Sequence, residues 1–187
     1  MEAHVYSSLE LPRSVVAIGA FDGVHRGHQA VIRQSVQRSR KLGVPSVVYT
    51  FDPPARVFFQ GARMLTPVEE KLDKIGRLGT RHAVVARFDE VYAERSAYEF
   101  IECLAKLNPV EIIVGGDFRF GKDRLGDVNL LEKYFKVRVT KPVFCPQGSV
   151  ISSSRIRQLI SDGELNLSKA LLGWESGIHA KNHILQE

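Results

Sequence analysis

The chain has 187 residues, of which 44% are hydrophobic, so it can bury one sizeable core and we expect a single domain. It contains no run of about 20 apolar residues and no secretory signal pattern, so we expect a cytoplasmic protein without a membrane partner. Two distant cysteines without CxxC spacing argue against a disulfide framework or a structural zinc site, and the net charge of +5 favours a phosphate-bearing ligand.

Apolar runs alternate with helical-period segments along the chain, which is the pattern of a parallel sheet with crossover helices. In chain order, the predicted elements are strand 14–21, helix 28–43, strand 45–51 followed by the turn-rich DPPAR, helix 66–79, strand 82–88, helix 96–108, strand 110–118, helix 128–135, strand 137–144, helix 152–163 and helix 164–173. We therefore predict an α/β fold: a Rossmann-like, doubly wound parallel sheet of about five strands with flanking helices. Residues 174–187 are left as a C-terminal tail.

Local residues predict where several helices begin and end. Thr66, Pro67 and Glu69 suggest a capping box in which Thr66 is the N-cap. Ser152 is a predicted N-cap, and Gly163 and Gly173 are predicted helix ends. The basic cluster 33–41 is interpreted as a solvated helix face, because basic residues are otherwise spread out and no aromatic residues are interleaved. This distribution favours small phosphorylated substrates over nucleic acid.

The strongest local motif is GAFDGVHRGHQ, residues 19–29, in the turn between the first predicted strand and helix. Ligands of open α/β sheets bind at such turns, and the following helix offers unpaired N–H groups to phosphate. Gly23 and Gly27 allow a sharp turn and a close approach, while His25 and His28 share one side of the first helical turn. The alternatives are two surface histidines, or metal ligands, for which no further His/Cys pair is suitably spaced.

The HxGH spacing after a strand resembles the nucleotidyltransferase superfamily, and ISSSR, residues 151–155, is similar to its second motif. The resemblance implies that His25 and His28 stabilise the transition state of nucleotidyl transfer, usually with Mg²⁺. It also implies that Ser153 and Arg155 hold the β- and γ-phosphates at a helix N-terminus. Serines at such a position are often no more than caps, so a functional role for the second motif is inferred only because the first motif precedes it.

The segment VGGDFRFGKDRLGD, residues 114–127, narrows the resemblance to the FAD synthetases, in which a VGxDFxFGxxRxG segment occurs. The resemblance implies the reaction of ATP with FMN to give FAD and pyrophosphate, with ATP and FMN as the partners and no obligatory protein partner. The implied catalytic residues are His25, His28, Ser153 and Arg155. The implied nucleotide-binding residues are Gly19, Phe21, Asp22, Gly23, Gly27, Gly115, Asp117 and Ser152. The implied flavin-binding residues are Phe51, Arg56, Phe118, Phe120 and Arg124; no protein ligand for the metal is predicted.

The sequence departs from the family in two respects. The family's TFxPHP reads TFDPPA here, so Pro54 replaces a histidine and Ala55 a proline in a loop that the family uses for phosphate and flavin contacts. Fourteen residues follow Gly173, so we expect no riboflavin kinase domain within this chain. Two alternative functions stay open: a related nucleotidyltransferase with another phosphorylated acceptor, and a flavin-nucleotide or nucleic-acid binding module that has lost catalysis.

Overall fold

The computed structural model describes residues 1–174 as a parallel β-sheet with helices on both faces. The strands are β1 (Glu2–Val5), β2 (Ser14–Ile18), β3 (Ser46–Asp52), β4 (His82–Arg87), β5 (Pro109–Gly115) and β6 (Val137–Thr140). The helices are α1 (Arg26–Leu42), α2 (Ala55–Gln60), α3 (Val68–Arg77), α4 (Glu90–Ala93), α5 (Ala97–Ala105), α6 (Val128–Glu132), α7 (Ser153–Ser161) and α8 (Leu165–Leu172), with a short 3-10 turn at Lys122–Arg124. The predicted tail 174–187 lies outside the described residues apart from Trp174.

The sheet order is β1-β4-β3-β2-β5-β6, with every pair parallel. From β2 the chain proceeds through β3 to β4 on one side, and then crosses back to β5 and β6 on the other. The direction of winding therefore reverses beside β2, and ligands of doubly wound sheets bind at the carboxyl ends of the strands at such a point. The loop that leaves this end of β2 is the HxGH loop, residues 19–25.

The apolar residues of β2 alternate between two buried layers. Val15 and Ala17 pack with α1 and α3, and Val16 and Ile18 pack with α5. Because both faces of the strand are covered, β2 is a continuous apolar run without the polar alternation of a half-exposed strand. A third apolar cluster joins α7 to α8 through Ile156 and Leu171. The predicted α/β class is confirmed.

The prediction of about five strands is one short. β1 is an additional edge strand whose residues alternate and are mostly exposed, so it lacks the apolar run that marks β2 to β5. Backbone pairing with β4 defines it: the Glu2 N–H donates to the Arg81 carbonyl over 3.0 Å, and the Tyr6 N–H donates to the Val85 carbonyl over 3.1 Å. Several predicted strands also end earlier than expected, because their last residues form the loops at the carboxyl edge.

The helix predictions were correct at some ends and wrong at others. Ser152 and Gly173 are caps of α7 and α8 as expected. Thr66 is not a cap: the N-cap of α3 is Pro67, which has no side-chain acceptor. The backbone N–H of the buried Thr66, which Glu69 would accept in a capping box, donates to the Asp22 carboxylate. The DPPAR sequence predicted as a turn is only partly one: Asp52 ends β3, and Ala55 and Arg56 are the first residues of α2. Within residues 1–174, none of the helices combines the length and apolar character needed to cross a membrane.

Candidate functional site

Two stacked histidines stand at the N-terminus of α1. His25 is the N-cap, and its Nδ1 accepts a hydrogen bond from the backbone N–H of His28 over 3.3 Å. The two imidazole rings lie with centroids 3.6 Å apart and planes 19° from parallel. The first turn of α1 contains no acidic residue, so the positive end of the helix dipole is left to an external anion.

Both histidines are neutral near pH 7. Burial lowers the pKa of His25 from 6.5 to about 4. Burial, and then repulsion from the Lys71 charge and from His25 whenever it is protonated, lower the pKa of His28 well below 6.5. Because Nδ1 of His25 is an acceptor, its proton resides on Nε2, and His25 offers that N–H as a donor. Nδ1 of His28 is buried and has no hydrogen-bond partner within residues 1–174.

The backbone of the HxGH loop is held in an uncommon conformation. Phe21 and Val24 have left-handed φ values of 48° and 40°, which cost about 1–3 kcal/mol each for residues other than glycine. Both side chains are buried. The Val24 carbonyl accepts hydrogen bonds from Gln29 Nε2 over 3.0 Å and from Trp174 Nε1 over 2.8 Å. Gln29 Nε2 also donates to the Leu172 carbonyl, so the end of α8 fixes this loop.

The glycines of the motif have steric roles. Gly23 has a φ of +83°, and a side chain there would meet Leu65 and Leu172. A Cβ at Gly27 would lie 3.1 Å from the His25 ring and 3.3 Å from the Ile151 carbonyl oxygen. The HxGH and ISSSR segments therefore approach each other too closely at Gly27 for a larger residue to fit without displacing His25.

The N-terminus of α7 contacts the HxGH loop directly. Ser152 caps the helix by accepting a hydrogen bond from the Arg155 N–H over 3.3 Å. The Ser153 hydroxyl donates to the Asp22 carbonyl over 2.9 Å. In the described part of the chain, no carboxylate forms an ion pair with the Arg155 guanidinium. Two helix N-termini and an arginine charge are thus brought together.

Asp22 joins three segments of the site. Its buried carboxylate accepts hydrogen bonds from the backbone N–H groups of Leu65 and Thr66 over 2.9 and 3.2 Å. Its other oxygen pairs with Arg157 of α7, whose Nε donates to the Arg63 carbonyl over 2.7 Å. The sequence analysis did not select Arg157, although its place two residues after Arg155 in ISSSRIR was the available signal.

Lys71 is a second residue that the sequence analysis missed. Its buried ammonium donates to the carbonyl of Phe51 over 2.6 Å and lies 3.5 Å from the carbonyl of Ala20. Burial lowers the pKa of this lysine, while Asp52 and Asp22 raise it. The side chain links the ends of β2 and β3 beneath the HxGH loop, and in the sequence it looks like any lysine of an amphipathic helix.

A continuous group of aromatic rings, here called the aromatic wall, extends along the carboxyl edge of the sheet. It consists of Phe51, Phe58, Phe59, Phe88, Phe100, Phe118 and Phe120. Phe59 is 66% exposed at one end, and Phe118 is partly buried at the other. Arg56, on α2 beside the wall, donates to the Ser154 hydroxyl of α7. The wall is therefore connected to the α7 end of the site.

The third predicted motif forms a compact loop after β5. Phe120 and Gly126 pair through two backbone hydrogen bonds, and a Cβ at Gly126 would lie 2.6 Å from the Phe120 ring. Phe120 is accordingly a buried core residue, stacked on Phe118 with centroids 5.5 Å apart. Asp117 and Arg124 are exposed. Their predicted ligand contacts stay predictions, as does the flavin contact of Phe120.

Comparison with known proteins identifies the family. A family model described as FAD synthetase matches residues 8–155. The chain belongs to the FAD synthetase family. A protein of Geobacillus thermodenitrificans, provisionally named as a bifunctional riboflavin kinase/FMN adenylyltransferase, is 62% identical over 89% of this chain and 93% of its own length. The bifunctional riboflavin kinase/FMN adenylyltransferases of Listeria monocytogenes and Escherichia coli K12 are 37% and 38% identical over 86% and 85% of this chain.

The matched part of the longer relatives is limited. This FAD synthetase chain spans 54% of the Listeria and Escherichia proteins. A crystal structure from Streptococcus pneumoniae, described as a macrolide-efflux protein, superposes with a TM-score of 0.82 at 30% identity and covers 92% of this chain and 70% of that one. The superposition shows that the fold is shared over nearly the whole described chain.

Proposed function

We propose that this FAD synthetase chain transfers AMP from ATP to FMN, giving FAD and pyrophosphate. Family membership supports the reaction, because the matched relatives are named as FMN adenylyltransferases. The observation that carries the proposal is the pair of stacked, neutral histidines at the N-terminus of α1, which lies against the N-terminus of α7. Only the adenylyl transfer is proposed, and not the kinase activity in the relatives' names.

The chemistry requires no covalent intermediate with the protein. A phosphate oxygen of FMN attacks the α-phosphorus of ATP, the bond from this phosphorus to the oxygen bridging to the β-phosphorus breaks, and pyrophosphate leaves with the electron pair. Negative charge grows on the α-phosphate oxygens and on the leaving group, so catalysis depends on fixed donors. The Nε2–H of His25 and the ring N–H of the neutral His28 supply two such donors. Neutral imidazoles are suited to this, since each keeps one N–H that can donate to a phosphate oxygen.

Ser153 and Arg155 are proposed to hold the β- and γ-phosphates. The first turn of α7 has no acidic residue, and its unpaired N–H groups favour anions. Arg155 adds a charge that no described carboxylate neutralises. Because Asp22 and Arg157 fix α7 to the HxGH loop, the two groups of phosphate ligands act as one preorganised unit.

The aromatic wall is proposed to receive the isoalloxazine ring system of FMN. Its partly exposed ends, Phe59 and Phe118, offer apolar faces on which a planar ring can stack. Arg56 contacts both α2 and α7, so a positive charge lies between the wall and the phosphate ligands. This position suits the phosphate of the acceptor, which must reach the α-phosphorus.

Mg²⁺ would be held at the site by the phosphates of the substrate and not by Asp22. Phosphate oxygens supply much of the coordination of Mg²⁺ in such enzymes, whereas the Asp22 oxygens already accept from Leu65, Thr66 and Arg157. Bound to the triphosphate, the ion would neutralise charge on the departing pyrophosphate.

Because ATP is a cytoplasmic substrate, the proposal places the enzyme in the cytoplasm.

A related transferase with another phosphorylated acceptor is the second candidate. Pro54 favours it, because this buried residue starts α2 where the family has a histidine able to bind phosphate. Only the acceptor separates the two candidates, since both use the same triphosphate ligands.

The test is FAD formation from FMN and ATP by purified protein, with the flavins separated by chromatography and pyrophosphate measured in parallel. We expect FAD and pyrophosphate in equal amounts, and no product when EDTA removes Mg²⁺. Pyrophosphate release with another phosphorylated acceptor but not with FMN would establish the second candidate. Tight ATP binding with no pyrophosphate from any acceptor would contradict both.

A further inference from the structure

Glu2, His4 and His82 form a cluster at the outer edge of the sheet, away from the phosphate ligands. Glu2 and His4 are two residues apart on β1, so their side chains share one face of the strand. His82 is the in-register partner of Glu2 on β4. The cluster lies at the amino ends of these strands, whereas the HxGH loop leaves the carboxyl end of β2. Sequence spacing could not reveal it, since 78 residues separate His4 from His82.

The three donor atoms form a triangle of suitable size for a metal ion. His4 Nε2 lies 3.2 Å from His82 Nδ1, and Glu2 Oε2 lies 3.4 Å from His82 Nδ1 and 4.0 Å from His4 Nε2. Tetrahedral ligands at metal distances of about 2.0–2.1 Å stand about 3.3 Å apart. Two edges of the triangle therefore match one face of a tetrahedron, and the third needs a movement of Glu2, whose side chain is 53% exposed.

The surroundings hold two of the donors in a form that suits coordination. The His82 side chain is buried, and its Nδ1 faces both the ring of His4 and the carboxylate of Glu2. Arg81 Nη2 binds the other carboxylate oxygen of Glu2 over 2.8 Å. Arg81 thereby orients the carboxylate with Oε2 towards the histidines, in the way that outer partners orient metal ligands.

We propose that Glu2, His4 and His82 bind a divalent transition-metal ion of the Zn²⁺ class, with the fourth position left to water or another ligand. Two imidazoles and one carboxylate suit Zn²⁺ and its neighbours, whereas Mg²⁺ requires oxygen ligands and would not compete. Such an ion would cross-link the edge strand β1 to β4. In the absence of metal, His4 and His82 can form a hydrogen bond with each other.

The test measures Zn²⁺ binding by the tag-free full chain in competition with a chromophoric chelator, for the natural protein, His4→Gln and Glu2→Gln. We expect each substitution to weaken the binding of one Zn²⁺ equivalent by at least about tenfold. Zn²⁺ should also raise the Tm of the natural protein more than that of either variant. Circular dichroism establishes that the variants are folded, which is expected because β1 pairs through its backbone.

The matched control is His25→Gln/His28→Gln, which removes the other close histidine pair and should retain this Zn²⁺ equivalent. Co²⁺ provides a second readout, since a four-coordinate site gives a strong visible absorption that His4→Gln should abolish. Equal Zn²⁺ stoichiometry and affinity in the natural protein and in both edge variants would overturn the proposal. Neither readout depends on catalysis, so the site is tested separately from the proposed transferase activity.

Discussion

Residues 1–174 contain two histidine pairs whose surroundings give them opposite chemistry. His25 and His28 stack at a helix N-terminus with no acidic residue in the first turn. His4 and His82 lie across two strands with ring nitrogens 3.2 Å apart and ring planes tilted by 55°, beside the carboxylate of Glu2. In the first pair, the helix dipole and buried N–H groups favour an anion; in the second, a carboxylate and two ring nitrogens favour a cation. The ligand preference of a histidine pair is thus set by its neighbours.

The strongest way to test this contrast is to delete each pair in turn. We expect His25→Ala/His28→Ala to reduce kcat/KM for FAD formation by at least about 10³-fold, since one lost transition-state donor typically costs about 10²–10³-fold. His4→Gln/His82→Gln, assayed without added transition metals, should stay within about twofold of the natural rate. Circular dichroism and thermal melting verify folding. Comparable rate losses in both variants would show that the two pairs do not differ as described.

The two arginines of α7 separate anion binding from structural support at the first histidine pair. Arg155→Ala should lower kcat/KM for ATP by about 10²-fold with little change in stability, because it removes a charge without an ion-pair partner in the described chain. Arg157→Ala should lower the free energy of unfolding by about 3 kcal/mol, because it leaves the buried Asp22 carboxylate unpaired. Urea unfolding and steady-state kinetics measure the two effects. A large loss of stability in Arg155→Ala, together with a loss of kcat/KM but not of stability in Arg157→Ala, would refute these roles.

The pH dependence of stability tests the neutral state of His25. Its pKa is about 4 in the folded chain and 6.5 in the reference state, so between these values the unfolded chain binds a proton that the folded chain does not. The free energy of unfolding should therefore fall as the pH is lowered from 6.5 to 4, by about 3 kcal/mol in total from this residue. In His25→Asn the decline, measured by urea unfolding, should be shallower. Identical slopes in both proteins would contradict the lowered pKa.

The sequence predicted those parts of the fold that depend on local patterns. Each of the strands β2 to β5 has an apolar run, and the Ser152 cap of α7 is a local signal. β1 was missed because its polar alternating residues are ordered by backbone pairing with β4, eighty residues away. The Thr66 cap was wrong for the same reason, since a distant carboxylate, Asp22, binds its N–H.

In the candidate site, too, the sequence predicted only the residues that belong to a local motif. The HxGH loop and the ISSSR segment were found as motifs, and the structure brings them into contact at Gly27 and Ser153. Lys71 and Arg157 were not found, because their positions matter only once carbonyls and a carboxylate from other segments lie beside them. The edge cluster was invisible for an equivalent reason: two strands must first align in register.

The smallest expected effect concerns Pro54, beside the proposed binding site of the FMN phosphate. Pro54→His restores the residue typical of the family at the start of α2. If FMN is the acceptor, the added imidazole should lower the KM for FMN by several-fold, about 1 kcal/mol for one hydrogen bond, with kcat nearly unchanged. Pro54→Ala is the control for loss of the proline ring alone. An equal change in both variants would assign the effect to the backbone rather than to the imidazole.

Trp174 is the chain's single tryptophan, and it contacts the HxGH loop. Its indole N–H donates to the Val24 carbonyl, one residue before His25, and the Lys74 ammonium lies 5.7 Å from its ring. Indole emission responds to its hydrogen bond and to nearby charge, so the protein contains its own fluorescent reporter one contact away from the proposed triphosphate site. If ATP binds at the HxGH loop as proposed, its arrival should change this emission in the natural protein without any attached dye.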